Sequence, residues 1–447
     1  MFGVALEMQM KLRLRLFTSR LSEFLKFDSY IARTGIALGA ITVCGLMNIA
    51  GRRRTARKLA MYLHRNAVSP IVDCYAERMI KNLNRKSDSF RTEYVRALQK
   101  TRLTERFFDN PERLVGTRVL VVKSPRNGER GVILVDYSFV FPLLAKKFDF
   151  AKIIEKYHVV IEPSWSGAFD DDVLALSAYG NVFVQSNEPR DIKFIKDNCV
   201  GLTPVPIAAN WWVDTRVFRP LEGISKRADV FVNASWAKFK RHDRIFSALS
   251  TLRRHGKILK TILVGYEVDL KREDLMSIAA EYGILDQLEF YEGVTSFEVN
   301  ELINRTKVNL VWSRREGSNR AIVEGLSAGV PGIMRQGFNY GHRYPFISKH
   351  LVEFATEETL PDMLLRAIRG GSDINPREWV EKYMNPQLAT EFVDQAIEQF
   401  CSLKGEKWTK GSLAVKVSSL HAMEYWDKAE RDRFVGDYEF LMRVKKG

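Results

Sequence analysis

Two glutamates, Glu316 and Glu324, are separated by seven residues, and the types between and around them could bind a phosphorylated sugar. Glu316 is followed at once by Gly317, Ser318 and Asn319, then by an apolar, helix-like run with Ala328, Gly329 and Pro331 behind it. Residues 308–312 (VNLVW), just before, read as a buried strand. The stretch therefore predicts a strand, a tight glycine turn and a helix, with a carboxylate at each end of the turn–helix unit. A helix start offers unpaired N–H groups and a positive dipole end to an anion. A carboxylate two turns further along can accept hydrogen bonds from sugar hydroxyls. Phosphate plus sugar points to a nucleotide sugar. Taken alone, the same pattern is also that of a capped helix carrying a surface charge.

Other residues have chemistry to offer, each with a plainer reading. Lys240 lies in the run Lys238-Phe239-Lys240-Arg241-His242, which could equally be a solvated basic face. Asp170, Asp171 and Asp172 open an apolar run, where acids favour a helix dipole more simply than they bind a metal. Residues 163–167 (PSWSG) follow a strand and could line an acceptor or sugar site, or form a packed loop around a tryptophan. Residues 337–344 (GFNYGHRY) hold His342 and Arg343, which could reach phosphates. Cys44, Cys74, Cys199 and Cys401 are far apart and show no metal-ligand spacing, and no pair of the seven histidines stands four apart. The expectation is a reducing compartment, no structural zinc and no metal cofactor.

Charge is concentrated at one end. Residues 1–60 hold 11 lysines and arginines against 3 acids, and residues 61–115 hold 11 against 7, so +12 of the net +15 lies in the first quarter of the chain. A nucleic-acid enzyme would spread its basic residues over a working cleft, so a nucleic-acid partner is not expected. A basic end suits an anionic membrane surface. Within it, residues 11–27 place Leu14, Phe17, Leu21, Phe24 and Leu25 on one helical face among arginines. Residues 34–50 then run without a charge up to Arg52-Arg53-Arg54. Seventeen residues fall short of the roughly 20 that a span needs, so this segment reads as a surface-lying or re-entrant anchor, a true span or a buried helix. Residues 55–110 read as helical, with breaks near 69–70 and 87–89.

From residue 117 the texture changes. Residues 117–123, 131–137, 158–162 and 181–185 read as buried strands with helix-like segments between them. A second series follows Pro220: residues 229–233, 261–265, 288–291, 308–312 and 332–334, with helices near 244–254, 273–282 and 296–304. Alternation of this kind predicts two α/β domains with open, mostly parallel sheets, whose ligands sit beyond the carboxyl ends of the strands. After residue 360 the chain reads as mostly helical.

Residues 207–220 (IAANWWVDTRVFRP) resemble the interdomain segment of the family-4 retaining glycosyltransferases, through Val213-Asp214-Thr215 and Phe218-Arg219-Pro220. Asn210 sits one position early in that pattern, and Trp212 stands where a glycine is usual. Residues 230–249 resemble the family's first C-terminal strand and helix, with Lys240 at its functional lysine. Residues 263–265 and 288–294 resemble its middle strands, and Glu316 and Glu324 its paired-glutamate motif. The resemblance covers residues 204–331 well and 117–203 in outline. It implies a GT-B architecture of two Rossmann-like domains facing across a cleft, with a nucleotide sugar held mainly by the second. Glu324 would then take the ribose hydroxyls and Glu316 the donor sugar. Gly317, Ser318 and Asn319 would face the diphosphate, with Gly265 also at the donor site, and Lys240 would offset charge on the leaving group. Ser235 departs from the family, which has an arginine there; Arg241, Arg314 or Arg315 could replace it. Residues 123–131 are the nearest candidate for the family's N-terminal glycine-rich loop, yet they look like a link between strands.

The expected layout is a basic helical extension (1–115), an acceptor-side Rossmann-like domain (116–225), a nucleotide-sugar-binding domain (226–360) and C-terminal helices packing back (361–447). The function expected is metal-free sugar transfer, with retention, from a nucleoside-diphosphate sugar to a saccharide or lipid-linked acceptor in cell-surface polysaccharide or glycolipid synthesis. The enzyme would work on the cytoplasmic face of the membrane, associated through residues 1–60. A weakened nucleotide-sugar-binding scaffold, or an epimerase of the same fold, is the alternative.

Overall fold

The computed structural model describes residues 14, 17–18, 20–25, 29–65, 69–84, 111–163, 167, 170–186, 188–314, 316–336, 351–370, 375–419 and 422–446. They divide into two compact units, an N-terminal helical one and a larger one that contains both main sheets.

In the N-terminal unit, helices Tyr30–Ile49, Arg53–Arg65 and Pro70–Asn84 follow one another. Ser29 caps the first by accepting a hydrogen bond from Ala32 N. This helix is longer than residues 34–50 alone allow, because the cap adds a turn that includes Arg33. Its 20 residues are long and apolar enough to cross a membrane, about 30 Å at 1.5 Å per residue. The buried-helix reading is corrected within this unit: only Ala37 and Cys44 are buried, while Ile31, Ile36, Leu38, Val43, Leu46 and Ile49 are exposed. A narrow edge of small residues, Ala37 and Ala40, packs on Leu63, Val72 and Ala76 of the other two helices. Leu14, Phe17, Leu21, Phe24 and Leu25 lie in helical conformation and are exposed. Residues 11–13, 15–16, 19 and 26–27, and residues 85–110, lie outside the described residues.

The larger unit begins with a five-stranded sheet of β1 (Val119–Lys123), β2 (Gly131–Asp136), β3 (Tyr157–Glu162), β4 (Val182–Gln185) and β5 (Leu202–Val205), in that spatial order. β1 and β2 pair antiparallel and the rest parallel. β1 to β4 are buried at every position, as continuous aliphatic runs require when both faces are covered. Residues 124–130 are the link of the β1–β2 hairpin. Gly131 opens β2 where a Cβ would lie 2.4 Å from Lys123 O.

The second sheet is parallel throughout. Its strands are β6 (Val230–Asn233), β7 (Thr261–Gly265), β8 (Leu288–Glu292), β9 (Val308–Val311), β10 (Gly332–Arg335) and β11 (Val352–Ala355), in the order β11-β10-β9-β6-β7-β8. Helix Ser296–Asn304 starts in a capping box between Thr295 and Glu298. Two open α/β halves joined by one segment are the GT-B arrangement.

β5 and β11 are not among the strands read from sequence. β5 contains Pro204 and is an edge strand, where a missing N–H is tolerated. The chain is mostly helical after residue 360, as expected, through to helices Glu430–Arg433 and Val435–Arg443, with one short hairpin added. After helices Leu360–Arg369, Pro376–Tyr383 and Pro386–Lys404 comes a short hairpin, β12 (Lys416–Ser418) with β13 (Met423–Tyr425). It lies on the first half: Tyr425 Oη donates to Val121 O at 2.6 Å, and Ala414 N donates to Val122 O.

Candidate active site

β9 ends at Val311, and the chain turns through residues 312–319 into helix Arg320–Ser327. Asn319 caps that helix by accepting a hydrogen bond from Ile322 N at 2.9 Å. The helix lies flush on β9 because residue 325 is glycine. A Cβ there would stand 2.3 Å from Asn309 Nδ2, which instead donates to Ala321 O. This close packing carries Glu324 inward. Its Oε2 accepts from Asn233 Nδ2, at the carboxyl end of β6, at 3.0 Å, and Arg320 lies 3.8 Å from Oε1. Burial raises the Glu324 carboxyl above its usual range, against the opposing pull of Arg320 and the Asn233 amide.

The segment after β6 supplies the cation. Residues Lys238–Lys240 form a single 3-10 turn, and Arg241 takes a left-handed conformation (φ 59°) that redirects the chain into helix His242–Arg254. Arg314 N donates to Phe239 O at 2.6 Å and so staples this turn to the loop before Glu316. Across that staple Lys240 Nζ meets Glu316 Oε1 at 2.5 Å, with both side chains largely shielded from solvent. Shielding strengthens a pair that water would weaken. His242 Nε2 faces Ser235 O at 3.2 Å, and burial lowers the ring to about 4, so it is neutral at neutral pH.

Lys240 and Glu316 are therefore brought together, and Glu324 sits in the helix that opens at Asn319. Gly317 and Ser318 form the half-buried approach to that helix. Gly265, at the carboxyl end of β7, has a packing role of its own: a Cβ there would stand 2.4 Å from Ala234 O and 2.5 Å from Trp236 Nε1. Of the three arginines considered beside Ser235, Arg241 is buried and pairs with Glu357. Arg314 is buried. Arg315, His342, Arg343 and residues 164–166 lie outside the described residues. Asp171 begins helix Asp171–Leu176, in keeping with the helix-start reading. Lys123 pairs with Glu129 at 2.8 Å within the β1–β2 link.

The sequence reading did not single out a second set of polar residues, on the carboxyl ends of the first sheet. Asp136, Glu162 and Gln185 end β2, β3 and β4, and Asp136 and Glu162 are register partners. Each is buried and each has a specific partner. Arg118 lies 2.8 Å from Asp136, Lys416 lies 2.5 Å from Glu162, and Trp212 Nε1 donates to Gln185 at 2.9 Å. Burial, then the Glu162 charge, pushes Asp136 up to about 6 despite Arg118. Trp212 thus has a job where the family has glycine: it bonds Gln185 and lies 4.7 Å under the Lys416 ammonium. The segment after it is held by Arg377, which donates to Thr215 O and Phe218 O, both at 2.8 Å. Arg320 donates to the carbonyls of Ser418 and Ser419, so the helix bearing Glu324 is tied to the same hairpin that carries Lys416. The one signal in sequence was an acid closing each of two mostly apolar strands.

Residues 216–369 match the family model described as glycosyl transferases group 1. No curated protein sequence matches the chain. Among solved structures, sucrose-phosphate synthase from Thermosynechococcus elongatus is 13% identical, with 61% of this chain and 74% of that one covered and a TM-score of 0.47. HepE from Anabaena, solved with UDP and glucose, is 11% identical over 58% of this chain and 81% of that one, with a TM-score of 0.43. The C-terminal domain of a glycosyl transferase group 1 family protein from Francisella tularensis is 16% identical over 39% and 98%, with a TM-score of 0.33. The span of residues 216–369 that matches the glycosyl transferases group 1 model contains Lys240, Glu316 and Glu324.

Proposed function

We propose that the protein is a retaining glycosyltransferase that takes a sugar from a nucleoside-diphosphate donor and passes it to a saccharide or lipid-linked acceptor. The observation that carries this reading is the shielded contact of Lys240 with Glu316 beside the helix that buries Glu324. Glu324, fixed by Asn233, would accept hydrogen bonds from the ribose. The amides of Gly317, Ser318 and Asn319 would face the diphosphate, adding the field of the helix start. Lys240 would exchange part of its contact with Glu316 for the β-phosphate as the glycosidic bond breaks. A fixed cation acts most strongly where charge grows, so this contact would favour the transition state over the ground state. Glu316 would then be free to hold donor-sugar hydroxyls. With a lysine and helix amides to neutralise the phosphates, the site would need no metal ion.

The N-terminal unit would hold the enzyme on the inner face of the cell membrane, through the exposed apolar face of helix Tyr30–Ile49 and the arginines that follow it. That placement suits an acceptor destined for cell-surface polysaccharide or glycolipid.

The test is a thermal-shift panel of the full chain against nucleoside diphosphates and their sugar conjugates. A ligand at about 100 times its Kd adds about 2.7 kcal/mol of stability. A shift with one base that disappears in Glu324→Gln supports the donor site; a folded protein that responds to none of them overturns it. A second reading, a nucleotide-sugar-binding scaffold with a weakened site, is kept by Ser235 standing at the family's arginine and by Arg241 being engaged with Glu357. Donor binding without any transfer would favour it.

A further inference from the structure

We propose that His158, Cys401 and Glu406 form a site for a thiophilic divalent cation such as zinc, separate from the lysine–glutamate site. The three potential ligand atoms lie within 4.8 Å of one another, and no ion is present there. His158 Nε2 is 3.4 Å from Cys401 Sγ, and Glu406 Oε2 is 3.9 Å from the same sulfur. A tetrahedral zinc with bonds of about 2.3 Å to sulfur and about 2.0–2.1 Å to nitrogen and oxygen would hold such atoms roughly 3.3–3.6 Å apart. The cluster is within a fraction of an ångström of that spacing on the sulfur–nitrogen side. The remaining adjustment falls on Glu406, which is at the surface and can move.

The fold sets this arrangement. Helix Pro386–Lys404 ends with Gly405 in the left-handed conformation (φ 68°), and Glu406 N donates back to Cys401 O at 2.9 Å. That turn brings residues 401 and 406 to the same side of the helix end. His158 faces them from β3, four residues before Glu162, which is roughly 13 Å from the carboxyl edge at the usual strand rise. Its ring is held edge-on by Phe183, Phe400 and Trp408. Nε2 is the ring nitrogen that faces the sulfur and so the one that would ligate, while Nδ1 is buried without a hydrogen-bond partner among the described residues. Arg130 Nη2 lies 2.6 Å from Glu406 Oε2, the oxygen that also faces the sulfur, so an ion would draw that oxygen from the guanidinium or take Oε1 instead. On binding, the cysteine thiol gives its proton to solvent, a metal–sulfur bond forms, and nothing is oxidised or reduced. The fourth position is left to water. A site of this kind would fasten the last long helix to β3. His158 and Cys401 are 243 residues apart, so no spacing rule could find them.

Cobalt is the probe, used on the full chain in a Cys74→Ser background because Cys74 is exposed. After chelator treatment, Co2+ should produce a thiolate-to-cobalt band in the near ultraviolet that saturates at one equivalent, and Zn2+ should displace it. Cys401→Ser should abolish the band, and Glu406→Gln should weaken the affinity about 10- to 100-fold without changing the Tm in chelator. No band at millimolar Co2+, or a band that survives in Cys401→Ser, would mean that the three residues are only a buried thiol–imidazole hydrogen bond beside a surface ion pair. Should Cys401→Ser fail to fold, Glu406→Gln decides, and an unchanged Co2+ affinity there overturns the site.

Discussion

Lys240 and Glu316 are 76 residues apart in sequence and 2.5 Å apart in space, joined across a backbone hydrogen bond from Arg314 to Phe239. Each offsets the charge of the other. If Lys240 acts on the leaving diphosphate as proposed, Lys240→Ala should lower kcat about 10²- to 10³-fold with a smaller change in KM. Glu316→Gln keeps the shape and should also lower kcat. Steady-state kinetics with the donor found by thermal shift measures both. Full turnover in the two variants would remove this pair from the chemistry.

Glu324 is a carboxylate kept in a place that penalises its charge. Glu324→Gln removes the penalty and retains an acceptor oxygen for Asn233. The Tm without ligand should hold or rise, while nucleotide binding measured by calorimetry weakens by at least tenfold. A variant that binds nucleotide normally would show that the carboxylate serves packing alone.

Asp136 makes a pH prediction whose sign follows from its proton affinity. The folded chain holds this proton to about pH 6, above the ordinary value of 3.8. The stability that its protonation contributes is complete below about pH 4 and is lost as pH rises through 6. Two pKa units correspond to about 3 kcal/mol. Urea unfolding of the wild type and Asp136→Asn should diverge across that window, the variant gaining on the wild type as pH rises. Parallel curves would contradict it.

Lys416 is fully buried against Glu162. Lys416→Met strands a buried carboxylate and should destabilise the protein by about 3–5 kcal/mol, whereas the double variant with Glu162→Gln should recover most of that loss. Additive losses in chemical denaturation would show that the pair is not coupled.

Leu38 and Leu46 are exposed on helix Tyr30–Ile49. Replacing both with Asp should leave the fold intact and abolish flotation with anionic liposomes, since each acid costs about 2.5–3.5 kcal/mol at the centre of a membrane helix. Unchanged flotation would move the anchor elsewhere.

Local patterns made much of the second half legible. β9, the glycine turn and helix Arg320–Ser327 announce themselves within about twenty residues, whereas Lys240 stands out from its basic run only through the resemblance of residues 230–249 to the family's first C-terminal strand and helix. The helix Ser296–Asn304 was readable to the residue from its cap and apolar spacing. What was hidden depends on partners far along the chain. Nothing near Asn233 says that it will hold Glu324, and nothing near Trp212 says that Gln185 will take its N–H. β12 and β13 are three residues each, too short for alternation to show. Helix Tyr30–Ile49 starts ahead of the uncharged run of residues 34–50 because its cap lies at Ser29, before Arg33, where the charge pattern gives no sign of it.

The ion pair between Glu162 and Lys416 spans 254 residues of sequence and has a consequence for how the chain is made. During synthesis β3 leaves the ribosome long before the lysine that neutralises its terminal carboxylate exists. At 5–20 residues per second, that wait is roughly 13–50 seconds. Until then the first sheet carries an uncompensated acid at its centre and lacks the hairpin that covers β1. The half that holds the first sheet should therefore mature last although it is made first, with the six-stranded sheet completed before it.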